Sequence, residues 1–421
     1  MPDAISINSR WATALERNHH GQPLGNLLNV AHALRHSPAW QGVLGFNLSA
    51  FEATVLKQPP WEDRIRSRYP ARWSDADDVC AAMWMQNERM SVSKQTVGQT
   101  IQVVARDHPF HPIKDHLEAL EWDGEKRLEV LPDYFGANDD KYTKAVFRKF
   151  LIGAVARVYE PGCKMDSCLV LEGEQGIKKS MALRILAGND EWFSDDMPDL
   201  ASKDAKAHTR GFWIIELAEL YTLMRAEVPL AKAFLSRQRD DVRLPYDERV
   251  TKLPRECVFV GTVNERQYLR DATGARRFWP VECTAIAIEP LQKYRDQIIA
   301  EAVYEYKQWK AGSAKLEAPW WFEDEGFLAD EQAKRFESGV IEEQIEAYLA
   351  KKAEKSDPTV TLTEINETCL HLASSQWQRH EKQIGRALRH FKWVRFQRRV
   401  KGSQRREWCY RPEGFAESVT C

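Results

Sequence analysis

Residues 171–186 read LEGEQGIKKSMALRIL. This stretch nearly matches the pattern G-x-x-x-x-G-K-[ST], a phosphate-binding loop that follows a strand and opens a helix. Gly173 begins the match and Lys179-Ser180 end it, but Lys178 stands where the second glycine is expected. The alternative is a surface turn that happens to carry two lysines. We predict a nucleotide-binding loop formed by Gly173, Glu174, Gln175, Gly176, Ile177, Lys178, Lys179 and Ser180.

The residues around this loop predict an α/β fold. Three continuous apolar runs, SCLVLE at 167–172, FWIIEL at 212–217 and CVFVGTV at 257–263, are separated by stretches with helical patterns. Such runs are typical of strands that are buried on both faces, as in a parallel sheet with helices on either side. The sequence therefore predicts a mainly parallel sheet with the loop at the end of its first strand.

Polar residues follow the second and third apolar runs, where an enzyme that hydrolyses ATP needs them. Glu216 ends the second run with Glu219 close behind, and carboxylates at this place hold Mg²⁺ and orient water. Asn264 follows the third run, within expected reach of the γ-phosphate. A planar guanidinium beyond it suits the charge on a transferring phosphate. We predict catalytic roles for Lys179, Glu216, Glu219, Asn264, Arg276 and Arg277, and Mg²⁺ ligation by Ser180 and Glu216.

Longer strings resemble one known family. They are PGCKMDSCLVLEGEQGIKKSMALRILAG at 161–188, WFSDDMPDL at 192–200, WIIELAEL at 213–220 and FVGTVNERQYLRDATGARRFWPV at 259–281. Together they look like the virulence-associated protein E family of phage, prophage and mobile-element ATPases. That family is similar to superfamily 3 helicases of the AAA+ class, and relatives often have glycine where Lys178 stands. The resemblance covers roughly residues 105 to 285.

The resemblance assigns roles to the predicted residues. It implies that Lys179 and Ser180 bind phosphate and Mg²⁺, that Glu216 and Glu219 serve metal and water, and that Asn264 senses the γ-phosphate. Arg276 or Arg277 resembles an arginine finger that acts on the neighbouring subunit's nucleotide. A finger acting in trans implies a homo-oligomeric ring, expected to be a hexamer, with ATP and Mg²⁺ as cofactors.

A segment between the second and third strands resembles the DNA-gripping hairpin of superfamily 3 helicases. It reads LAKAFLSRQRDDVRLPYDERVTKLPREC at 230–257, and Tyr246 would add a stacking face for single-stranded DNA in the ring's channel. The alternative is an interface salt-bridge cluster of Arg237, Asp240, Asp241 and Arg243. The candidate DNA ligands in this segment are Lys232, Arg237, Arg239 and Arg243.

The C-terminal region carries a strong local charge. Residues 376–412 contain twelve Lys or Arg and two acidic residues, a local +10, so the rest of the chain sums to −12 and the net charge is −2. Three helical patterns at 340–352, 361–370 and 381–391 precede two strands around Lys401-Gly402, which is the winged-helix order. A basic, aromatic-rich folded block indicates a duplex DNA surface. The alternatives are a solvated tail or a domain that binds protein. The candidate DNA ligands here are Arg386, Arg389, Arg398, Arg399, Lys401, Arg405 and Arg406.

These patterns predict four regions: a mostly helical domain at 1–120, a P-loop ATPase at 121–310, a connector at 311–337 and a winged-helix-like domain at 338–421. We expect an ATP-driven DNA helicase or translocase; the alternative is a nucleotide-switched DNA-binding regulator or origin-recognition module. No clustered acidic metal motif precedes the ATPase, so any primase is expected to be a separate protein. Scattered cysteines and the lack of a long apolar run favour a cytoplasmic protein without a membrane span.

Overall fold

The computed structural model describes residues 11–61, 69–218, 220, 228–243, 249–264, 277–312, 319–322, 328, 340–355, 357–370, 377–399 and 406–415. The chain divides into two compact units, residues 1–266 with 273–334, and residues 335–421 with 267–272. No helix within the described ranges is both long enough and apolar enough to cross a bilayer.

The N-terminal part of the larger unit combines helices with a small mixed sheet in the order β3-β2-β1-β4. Residues 44–55 form a hairpin, with Leu44 opposite Val55. Ser93 caps the helix that follows it, because its side chain accepts a hydrogen bond from the Thr96 amide. The sheet goes beyond the mostly helical character predicted for this part. Its helices are α1 (Leu27–His36), α2 (Asp75–Asn87), α3 (Lys94–Val104) and α4 (Pro112–Ala119), and its strands are β1 (Leu44–Asn47), β2 (Glu52–Val55), β3 (Ala71–Arg72) and β4 (Pro109–Phe110).

A five-stranded parallel sheet forms the centre of the larger unit, as the apolar runs predict. The strand order is β11-β5-β10-β7-β6. Every residue of its three central strands is buried, and because successive side chains point to opposite faces, both faces of the sheet are covered. The strands are β5 (Cys168–Glu172), β6 (Phe193–Ser194), β7 (Ile214–Leu217), β10 (Val258–Val263) and β11 (Phe278–Glu282).

Helices and one separate hairpin accompany this sheet. The amphipathic pattern after residue 140 forms α6, which Asp140 caps by accepting a hydrogen bond from the Thr143 amide. The hairpin lies between β7 and β10 in the chain. The helices are α5 (Leu131–Tyr134), α6 (Lys141–Tyr159), α7 (Lys179–Ala187), α8 (Lys203–His208), α9 (Val228–Leu235) and α10 (Ile288–Lys310), and the hairpin strands are β8 (Arg239–Arg243) and β9 (Val250–Pro254).

The smaller unit shows the predicted succession of helices followed by two antiparallel strands. A third short strand completes a sheet in the order β12-β14-β13. Ile345, Ile384, Leu388 and Trp393 form the centre of its hydrophobic core. The turn predicted at 401–402 lies outside the described residues. The elements are α11 (Val340–Ala353), β12 (Val360–Thr361), α12 (Leu362–Glu364) with a π-helical turn at Ile365–Cys369, α13 (Trp377–His390), β13 (Trp393–Arg399) and β14 (Arg406–Pro412).

Candidate nucleotide-binding site

The predicted loop joins the end of β5 to the start of α7, at the edge where the parallel strands have their carboxyl ends. A Cβ on Gly173 would lie 2.3 Å from the Cys283 carbonyl oxygen, so only glycine fits where the chain leaves the strand. Lys178 has φ 73° and ψ 32°, which is the left-handed region that favours glycine. Its side chain is exposed. The position therefore requires the backbone that glycine would adopt readily, and Lys178 adopts it with its side chain in solvent.

Lys179 occupies the centre of the loop. Its Nζ donates hydrogen bonds to the Gly173 carbonyl at 2.7 Å, the Glu174 carbonyl at 3.0 Å and the Asn264 Oδ1 at 3.1 Å. Burial lowers the pKa of Lys179, and the nearby Cys283 and Glu216 oppose that shift. The structure thus joins two residues that the sequence places on different strand ends, Lys179 and Asn264.

Ser180 and Glu216 also meet, as predicted. The Ser180 Oγ donates to the Glu216 Oε1 at 2.9 Å, and the Thr262 Oγ1 donates to the same oxygen at 2.7 Å. Glu216 is 2% exposed, and among the described residues its Oε2 has no hydrogen-bond partner. A buried carboxylate oxygen without a donor is costly unless a cation or water satisfies it. This arrangement fits Mg²⁺, because the Ser180 hydroxyl donates its hydrogen bond to Glu216 and its oxygen keeps a lone pair for the metal.

The start of α7 completes an anion site. Backbone amides at a helix N-terminus point outward, and the helix dipole places about half a positive charge there. The N-cap residue is Lys178, whose side chain makes no capping hydrogen bond. Amides of the loop and first turn, with the Lys179 ammonium beside them, form a place that accepts phosphate oxygens.

Comparison with known proteins identifies the family of this chain. A family model described as the virulence-associated protein E-like domain matches residues 117–338, more than half of the chain. The chain belongs to this family. No curated protein matches the chain significantly.

Solved structures similar to this virulence-associated protein E-like chain have low sequence identity. The apo structure of the NrS-1 C-terminal region (305–718) has a TM-score of 0.48 at 12% identity, covering 92% of this chain and 99% of that one. The A form apo structure of the same region has a TM-score of 0.41 at 13% identity, covering 88% of each chain.

Two residues that hold the site of this virulence-associated protein E-like domain, Thr262 and Arg295, were not predicted from the sequence. Thr262 could have been found, since Thr262 and Asn264 are polar residues two apart at the end of an apolar strand and so share a face. Arg295 gave no such signal, because it lies more than a hundred residues after the loop. Its guanidinium donates to the Leu186 carbonyl at 3.1 Å and the Ala187 carbonyl at 2.8 Å, which caps the far end of α7.

Of the two predicted arginine fingers, Arg277 does not join this cluster within the chain. Arg277 directly precedes β11, where Phe278 pairs with Cys168 at the start of β5. The loop begins at the other end of β5, so roughly 15 Å of strand separates the two. Arg277 instead lies 3.5 Å from the Asp166 carboxylate, and its Nε donates to the Ser236 Oγ at 2.9 Å. The two other catalytic candidates, Glu219 and Arg276, lie outside the described residues.

The hairpin residues divide between exposed and buried positions. On β8, Arg239 and Arg243 are exposed and alternate with the buried Asp240. Asp240 forms a buried bidentate ion pair with Arg255, at 2.5 and 3.0 Å, which the sequence did not reveal. Arg237 Nη1 lies 3.9 Å from Asp240, so only this part of the alternative salt-bridge cluster is present. Lys232 is half-buried on α9, and Tyr246 lies outside the described residues.

The candidate DNA ligands of the C-terminal region differ in their exposure and in their ion pairs. Arg386 and Arg389 are both exposed on α13, one turn apart. Arg399 pairs with Arg406 across β13 and β14, and both side chains are exposed. Arg398 forms an ion pair with Asp357 at 2.7 Å, which raises the pKa of Arg398. Lys401 and Arg405 lie outside the described residues.

Proposed function

We propose that this protein is an ATP-driven DNA helicase or translocase of a phage, prophage or mobile element that acts in DNA replication. The observation that carries the proposal is the meeting of Lys179, Ser180, Glu216 and Asn264 at one edge of the parallel sheet. These four side chains come from three strand ends and match the roles that the family resemblance implies. The site therefore supports a P-loop ATPase core of the AAA+ type.

In the proposed reaction, water attacks the γ-phosphorus of ATP, and the bond to the bridging oxygen breaks as ADP leaves with the electron pair. The products are ADP and inorganic phosphate, and the proton that the water loses passes to solvent. Lys179 holds the β- and γ-phosphate oxygens, and Asn264 contacts the γ-phosphate. Glu216 keeps Ser180 oriented by accepting a hydrogen bond from its hydroxyl group. Mg²⁺ bound by Ser180 and Glu216 would supply charge neutralisation between the phosphates. Catalysis then rests on positioning and electrostatics, with no covalent intermediate on the protein.

The position of Arg277 supports a finger that acts between subunits. Because it lies at the opposite edge of the sheet from its own loop, it is badly placed for the nucleotide that this chain binds. In a ring, the same residue on one subunit can face the loop of the next. We propose such a ring, with six subunits, for the active form.

Two surfaces of this chain are proposed to bind DNA. The exposed Arg239 and Arg243 of the hairpin suit a single strand in the channel of the ring. The smaller unit, with its helices followed by a two-stranded hairpin, is proposed as a winged-helix-like domain for duplex DNA. A cytoplasmic location and a separate primase remain parts of this proposal.

A nucleotide-switched DNA-binding regulator is the second candidate, and the contacts of Lys179 favour it. All three Nζ protons already have acceptors from the chain, so an incoming phosphate must displace them. A site of this kind can bind nucleotide and change assembly with little turnover.

The deciding experiment measures ATP hydrolysis with and without single-stranded DNA, and the mass of the assembly with a non-hydrolysable ATP analogue. The helicase proposal expects turnover that DNA stimulates and a ring that the analogue stabilises. Tight binding with negligible turnover in both conditions would support the switch and refute the helicase. Glu216→Gln is the matched inactive control, since it keeps the shape and the Oε1 acceptor.

A further inference from the structure

The hairpin of the smaller unit carries an exposed tryptophan beside an arginine. Trp408 on β14 is 47% exposed, although tryptophan is highly buried on average. The guanidinium carbon of Arg395 on β13 lies 3.9 Å from the centre of the Trp408 ring, which is a close cation–π contact. We call these two residues the Trp408 pair.

The strand register places the Trp408 pair on one face of the hairpin, further toward its tip than the hydrophobic core. Trp393 and Tyr410 lie on this face and are buried in the core of the unit. Trp408 is opposite Gln397, four residues beyond Trp393, so its ring lies roughly 13 Å further along the strand. The Trp408 ring therefore lies beyond the core residues of the unit and is half exposed.

The arginines around the Trp408 pair favour a partner that carries both negative charge and flat rings. Arg399 and Arg406 lie next along the same face, toward the tip, and both are exposed. On the adjoining helix, Arg389 is exposed as well. A single exposed apolar side chain needs no explanation, but an aromatic ring stacked with a guanidinium within a basic surface suits nucleic acid. The cations match phosphates and the ring matches a base.

We propose that the Trp408 pair stacks on an unpaired DNA base at the junction between duplex and single strand. Paired bases are stacked on each other inside a duplex, so an aromatic side chain finds an open base face only where pairing ends. The basic helix α13 would hold the duplex through phosphates while the hairpin meets the first unpaired base. This inference rests on the proposed DNA binding of the smaller unit, and it adds the structure of the DNA that the unit prefers.

The test uses the full chain without ATP and compares binding to a blunt duplex with binding to the same duplex carrying a single-stranded tail. Trp408→Ala is expected to weaken binding of the tailed duplex by roughly 5- to 150-fold, the range for loss of one stacked base. Binding of the blunt duplex should stay close to wild type. Trp408→Phe should keep most of the preference. Val394→Ala, which trims an exposed apolar residue on the opposite face of the hairpin, is the matched control.

Removing the base from the DNA gives an independent measurement. An abasic site at the first tail position should weaken wild-type binding about as much as Trp408→Ala does. The two changes combined should then cost little more than either alone, because they remove the same contact. Equal losses on blunt and tailed duplex, or additive losses with the abasic probe, would overturn the stacking inference while leaving DNA binding intact. A wild-type protein that binds neither probe would overturn the proposed DNA binding itself.

Discussion

The neighbouring lysines of the loop provide the sharpest test of the nucleotide site. Only Lys179 lies within the cluster, whereas Lys178 is exposed to solvent. We expect Lys179→Ala to abolish ATP hydrolysis, because it removes the ammonium that would hold the transferring phosphate. Loss of one charge-stabilising group typically lowers turnover by roughly 10²- to 10³-fold. Lys178→Ala and Lys178→Gly should retain turnover near that of the wild type.

The backbone at Lys178 also predicts changes in stability. A left-handed conformation costs an ordinary residue about 1–2 kcal/mol, and glycine avoids this cost. Glycine in turn loses about 0.5–1 kcal/mol through the greater entropy of the unfolded chain. The net expectation for Lys178→Gly is a gain of about 0–1.5 kcal/mol in the free energy of unfolding. Lys178→Ala keeps the unfavourable backbone and should change it little, and Lys178→Val should lower it, since β-branched residues are worst in this region.

Steady-state ATP hydrolysis and thermal unfolding of the same preparations check both expectations. Binding of a fluorescent ATP analogue separates loss of affinity from loss of turnover. If Lys178→Ala is the inactive variant and Lys179→Ala hydrolyses ATP, the register assigned to the loop is wrong. If Lys178→Gly unfolds well below the wild type, the left-handed backbone is not the source of strain at this position.

Four further expectations follow from the structure. Arg277→Ala and Lys179→Ala subunits, each inactive alone, should regain activity when mixed, because some interfaces then join an intact loop to an intact finger. A finger acting in trans is worth about 10³–10⁵ in rate. No rescue in verified mixed oligomers would refute a trans role for Arg277. Deleting residues 338–421 should weaken DNA binding and reduce the slope of log K against log salt concentration by several units, and basal ATP hydrolysis should be retained. Unchanged affinity and slope would leave the hairpin of β8 and β9 as the DNA site. Asp240→Ala should lower the free energy of unfolding by about 3–5 kcal/mol in denaturant titrations, because it leaves a buried guanidinium unpaired; a loss below about 1 kcal/mol would contradict this. Burial lowers the pKa of His208 from its usual 6.5, so as the pH falls the unfolded chain binds this proton before the folded chain does, and the free energy of unfolding should decrease below about pH 6.5. His208→Gln should make the free energy of unfolding depend less on pH in this range. An unaltered pH profile in the variant would argue against this role of His208.

The parts of the site that follow from local pattern were predictable, and those that depend on distant contacts were not. A strand, a glycine turn and a lysine at fixed spacing determine where Lys179 and Ser180 lie. The polar residue at the end of an apolar run similarly located Asn264, because parallel strands end at one edge of a sheet. The partner of Asp240 could not be predicted in this way. Arg255 meets it through the register of a hairpin and the packing of that hairpin on the core, and several arginines in the segment were equally plausible from sequence.

The hydrogen bonds of Lys179 connect the loop to Asn264, the residue that follows β10. In the structure this ammonium links β5 to the end of β10, because it bonds to two loop carbonyls and to the Asn264 side chain. A phosphate that binds Lys179 must replace some of these contacts, and Asn264 is the partner that can turn away without moving the loop backbone. Asn264 directly follows β10, and Arg277 precedes β11 at the other edge of the sheet. We therefore propose exchange of the Lys179–Asn264 hydrogen bond as a route by which a bound nucleotide is sensed at Arg277, where the next subunit is proposed to bind.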